Sequence, residues 1–95
     1  MRPSCFDCAR KHLAQAIVLE TEMRTGYPDF KWLVIAHIAE AEAELVAASA
    51  ELANELREIR KIFEEDSNVD LPLMPMISRI SELADSPPTT KRGKK

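Results

Sequence analysis

Glycine is nearly absent from this chain, with two in 95 residues, and only five residues are aromatic. Few glycines and no clear runs alternating apolar with polar residues exclude a β-rich fold. No apolar run approaches the roughly 18 residues of a membrane span. The first residues lack the basic-then-apolar pattern of a secretory leader. Cysteine is limited to Cys5 and Cys8. In the reducing cytoplasm expected for such a chain, metal binding or redox chemistry is favoured over a structural disulfide. A strongly basic balance is missing too, since the net charge is −3.

What is present is alanine-rich apolar sequence, 45% of the residues being hydrophobic. Small side chains let helices approach closely, so the fold class is all-α. A chain this short sits near the limit at which one apolar core suffices, and a metal staple would help it. The expected domain covers residues 1–85, followed by a flexible basic tail over 86–95.

Helix 1 is predicted from Cys5 to Arg24, with Ser4 capping it and Asp7 closing a capping box. Its inward stripe reads Cys5, Cys8, His12, Ala16, Leu19 and Met23, with Phe6, Ala9, Leu13 and Ile17 beside it. Gly26 suits the C-terminal cap and Pro28 the next first turn. Helix 2 is predicted to run unbroken from Asp29 to Glu65, roughly 55 Å at 1.5 Å per residue. Its early stripe carries Phe30, Val34, His37, Ala41 and Leu45. Beyond it Leu52, Leu56, Ile59 and Phe63 form a short heptad pattern that helix 1 cannot cover. The C-terminal segment or a second copy must bury these four, which makes them the expected partner-binding residues. Leu71 to Pro75 should be extended, and Met76 to Ala84 a short helix 3 folded back on helix 2. The architecture expected is an antiparallel helical hairpin with a long second helix and a short third.

The chemistry concentrates in Cys5, Cys8 and His12. Residues three and four apart share one face of a helix, so two thiolates and an imidazole converge as three-quarters of a tetrahedral zinc site. His37 is the only other histidine and the expected fourth ligand, with Glu44 and Glu40 as substitutes. Counted from the turn, His12 and His37 sit roughly 6 Å apart in level, one helical turn. Side chains lean toward each helix's N-terminus, so His12 points away from the turn and His37 toward it. Closure is imperfect unless two residues of adjustment in the turn absorb the divergence. A mixed thiolate–imidazole set selects Zn2+. Two other readings of these residues stay open: buried free cysteines with satisfied histidines, or a redox pair with a lowered thiolate pKa at the helix start.

Glu40, Glu42, Glu44, Glu51, Glu55 and Glu58 invite comparison with helical nucleotide pyrophosphohydrolases. The opposing carboxylates are missing from helix 3, and a solvated acidic face accounts for the pattern. Arg10, Lys11, Arg24 and Lys31 could form a basic edge. The tail, with Lys91, Arg92, Lys94 and Lys95, offers a polyanion only weak, salt-sensitive attraction. Tyr27, Phe30 and Trp32 gather at the turn, where an exposed Trp32 would mark a binding surface.

Cys-x2-Cys-Ala-Arg-Lys-His-Leu-Ala-Gln-Ala, then Gly-Tyr-Pro, then His37-Ile-Ala-Glu-Ala-Glu-Ala-Glu44 resembles small proteins of unknown role encoded by bacteriophages and prophages. The resemblance spans about residues 5–45. It implies a phage-like origin, in host cytoplasm or virion, among small helical proteins that serve as virion components or inhibitors of host systems. The function expected is therefore a non-enzymatic, zinc-binding interaction or assembly protein acting as a homo-oligomer or on a protein partner through helix 2. Two alternatives stand beside it: a hydrolase with zinc-bound water near Glu40 or Glu44, and nucleotide or nucleic-acid binding through the basic edge and tail.

Overall fold

Ser49 decides the course of the chain. Its backbone is extended (φ −159°, ψ 95°), and its hydroxyl accepts the Leu52 N–H at 3.4 Å. That is the N-cap of a new helix, where a serine side chain supplies a partner the first-turn amides otherwise lack. The preceding helix closes with the Ala48 and Ser49 amides both on the Leu45 carbonyl, at 3.0 and 2.7 Å. The single 29–65 helix expected from the sequence is therefore two helices joined by a tight turn. The physical reason is burial. A straight rod would have left Leu52, Leu56 and Phe63 in water, whereas the reversal lays them on the chain's own core.

The computed structural model describes residues 5–85, with side-chain environments for 6–83. The expected Ser4 cap and the basic tail over 86–95 lie outside the described residues. Among those described, all regular structure is helical: α1 (Cys5–Thr25), a 3-10 turn (Pro28–Phe30), α2 (Lys31–Leu45), α3 (Ala50–Glu65) and α4 (Leu73–Asp85). α1 packs on α2 and α4, and α2 packs on α3. Gly26 ends α1 at φ +154°, a value L side chains rarely adopt. The next amide, Tyr27, bonds back to the Glu22 carbonyl at 3.1 Å, the six-to-one closure of a Schellman motif.

The core runs through all four helices: Ala9, Leu13, Ala16 and Met23 of α1, and Val34, Ile38, Ala41 and Leu45 of α2. α3 adds Leu52, Ala53, Leu56 and Phe63, and α4 adds Leu73, Met76 and Ile80. Each fully buried Leu, Ile, Val or Phe contributes about 1.5–3 kcal/mol. α4 starts three residues before the helix expected from the sequence, because Pro75 falls in its first turn. Amides there have no intrahelical partner, so proline costs nothing. The Met76 amide makes the first return bond, to Pro72 O at 3.3 Å.

Polar ties fix how the helices lie. Arg60 of α3 bonds Glu42 of α2 through both Nε and Nη2, and its Nη1 donates to Glu64 at 2.7 Å. Lys31 Nζ donates to the Glu64 carbonyl at 3.0 Å, closing the end of α3 from the start of α2. Arg10 Nη1 donates to Ser81 Oγ at 3.2 Å, and Arg24 Nη2 to Val69 O at 2.7 Å. α4 thus runs back along α1, its last turns beside α1's first, whereas the sequence points to a third helix folded on helix 2. The turn at Ser49 has already covered that stripe. Arg79 pairs with Glu55 and joins α4 to α3.

Ser49→Ala should cost about 1 kcal/mol in urea unfolding, through loss of the cap. Phe63→Ala should cost about 3–5 kcal/mol, as for other buried aromatics. The Arg79 guanidinium holds the Glu55 carboxyl below its ordinary range, chiefly by hydrogen bonding. That tie is complete above the usual glutamate pKa and is lost as pH falls through the lowered value. Arg79→Ala should flatten this acid-side dependence in melts recorded from neutral to acidic pH.

Candidate metal centre

Along α1 the centre of the buried face is Ala9, Leu13 and Ala16, each 0% exposed. Cys8 and His12 flank it one turn apart, both half-buried, and Cys8 is a free thiol. Cys5 is the first residue of α1, and its side chain lies outside the described set. On α2 the buried stripe is Val34, Ile38, Ala41 and Leu45, with His37 half-buried beside it. Chemistry-bearing residues thus border the core rather than fill it, on the two helices that pack together.

His12 and His37 meet across that seam. Their Nδ1 atoms are 3.3 Å apart, the ring centroids 5.5 Å, and the planes are inclined at 37°. The level difference of one helical turn expected between them does not keep the rings apart. Two nitrogens held 2.0–2.1 Å from one zinc ion at the tetrahedral angle would stand about 3.3–3.4 Å apart. The histidine pair has that spacing. Without a metal the same contact needs one ring to donate and the other to accept.

Among the described residues, no group of three or more His, Cys, Asp and Glu side chains is gathered as a metal would need. The pair of histidines comes together, while Cys8 does not complete a trio with them. Glu40 is exposed and Glu44 half-buried, one and two turns beyond His37. Two clefts of about 290 Å³ lie elsewhere. One is lined by Met23, Arg24, Pro28, Ser67 and Asn68, the other by Ile59, Ile62 and residues 69–72.

The expected partner-binding set needs correction. Leu52, Leu56 and Phe63 are at most 2% exposed, covered by this chain itself, and only Ile59 stays half-buried at the edge of the second cleft. Reversal at Ser49 is the cause. The expected basic edge is mostly engaged internally: Arg10 on Asp7 at 2.8 Å and on Ser81, Arg24 on Glu20 at 2.9 Å and on Val69 O, and Lys31 on Glu64 O. Trp32 is 64% exposed, with the Lys31 ammonium 5.3 Å from its ring centroid. Sequence reasoning missed Ile62, Val69 and Leu71 as a surface. Ile62 falls off the heptad stripe, which was the available signal.

No family model, no curated protein and no solved structure matches this chain. No helix among the described residues is long and apolar enough to cross a membrane.

Proposed function

We propose that this chain is a small, non-enzymatic, zinc-binding helical interaction or assembly module. In this reading α1 and α2 form an antiparallel hairpin stapled by Cys5, Cys8, His12 and His37. The observation that carries it is the His12–His37 Nδ1 separation of 3.3 Å, the edge length of a tetrahedral zinc site. Support comes also from position. Cys8 precedes His12 by one turn on the same half-buried flank, and Cys5 precedes Cys8 by another turn of α1.

The residues have separate roles. His37 brings α2 to the ion, and His12 with the two thiolates brings α1. A bound zinc ion would supply a four-coordinate, closed tie with no position for water or substrate. Such a tie lets a core as small as this one support a presenting surface. Resemblance to phage- and prophage-encoded proteins over residues 5–45 suggests that the surface serves virion assembly or meets a host component.

Native mass spectrometry of the purified chain should report one zinc per chain and, in the same spectrum, the number of subunits. Cys8→Ser and His37→Ala should each weaken zinc binding on the order of 100-fold or more, whereas Glu44→Ala should not. Chelation should lower the melting temperature, because metal binding and folding are coupled. Zinc-free protein whose melting temperature ignores added zinc would overturn the staple.

A further inference from the structure

α3 and the segment leading into α4 form an open apolar cleft. Ile59 and Ile62 make one wall, and Val69, Leu71 and Pro72 the other, in a space of about 290 Å³. Ile62 is 54% exposed. A single exposed isoleucine needs no explanation; this one belongs to a continuous apolar floor. On α3, Glu58 stands four residues before it and Glu65 three after, followed by Asp66, the extended residue that ends the helix. All three are exposed, and Asp70 lines the cleft itself. Against these four carboxylates the same stretch offers one exposed cation, Lys61. Arg24 of α1, which reaches the Val69 carbonyl at 2.7 Å, is already paired with Glu20.

We propose that this cleft is a docking site for a cationic segment of a protein partner, an aliphatic or aromatic side chain filling the floor and Lys or Arg meeting the rim. The charge pattern selects that occupant. The same face of a second copy would set four carboxylates and one lysine against the same set, a net like charge on both sides that repulsion penalises. An uncharged apolar segment would fill the floor but desolvate the rim without compensation. The proposal rests on the interaction half of the function given above and is independent of the metal.

The full chain is titrated with fluorescent peptides: one with Leu and Lys at helical spacing, one with Glu for Lys, one with Ala for Leu, and one spanning residues 86–95. The Leu/Lys peptide should bind, and more weakly as salt rises. The Glu and Ala counterparts should bind weaker by about tenfold or more, because each removes one half of the recognition. Ile62→Asp should cost a similar factor. Asp70→Lys, an exposed change that leaves the core untouched, should do the same, while Val18→Asp on α1 should not. Unchanged binding to Ile62→Asp and Asp70→Lys overturns the proposal. So does sedimentation showing a dimer that Ile62→Asp dissociates, which would assign the cleft to a second copy. Tight binding of the 86–95 peptide would assign it to this chain's own tail and overturn the proposal equally. Zinc content measured on the same samples separates the two readings, since loss of zinc with peptide binding intact sinks only the staple.

Discussion

Everything in this fold depends on the reversal between Leu45 and Ala50. An apolar stripe on a helix must be covered, and a chain of this size has little with which to cover it. By stopping α2 and restarting at Ser49, the molecule brings Leu52, Leu56 and Phe63 against α2 and leaves room for Leu73, Met76 and Ile80 of α4 to close the remaining side. One hydroxyl and an extended backbone at a single residue thus convert an exposed rod into part of a shared core. The ion pairs follow from that geometry. Arg60 can reach Glu42 only once α3 lies beside α2, and Arg79 of α4 reaches Glu55 of α3 through its long side chain.

The histidine contact draws on the same packing but is set on its margin. Ala9, Ala16 and Ala41 are small and fully buried, so α1 and α2 approach closely where His12 and His37 flank the seam. Larger residues at those three positions would push the helices apart and take the ring nitrogens out of reach of each other. The alanine content that marked the chain as helical is thus also what brings the two imidazoles together.

Helical character was legible in the sequence, from periodicity and from the shortage of glycine. The first connection was legible as well, because Gly26 and Pro28 carry their own conformational instructions. The second connection was not. Val46-Ala47-Ala48-Ser49-Ala50 has no glycine or proline, its alanines favour helix, and a lone serine inside such a run reads as a tolerated surface residue. Only the need to bury residues far along the chain reveals it as a cap. Pro75 misled in the opposite direction, suggesting extended chain where proline is at home in a first turn, while Pro72 does precede the helix. For the site, counting residues around the turn set His12 and His37 one helical turn apart in level, and their contact emerges only from the packed helices. Burial of Leu52, Leu56 and Phe63 within the chain was not legible either, because it depends on the unseen reversal.

Arg10 on Ser81 sets the start of the first helix beside the end of the last. Neighbouring ends of this kind let a protein be re-threaded: the two could be bridged by a short linker and the chain reopened between Ala47 and Ala48, both exposed. In such a permuted molecule the two halves of the former rod would be separated in order yet keep the same neighbours. Stability would then report how much the fold owes to chain connectivity at that corner and how much to side-chain packing.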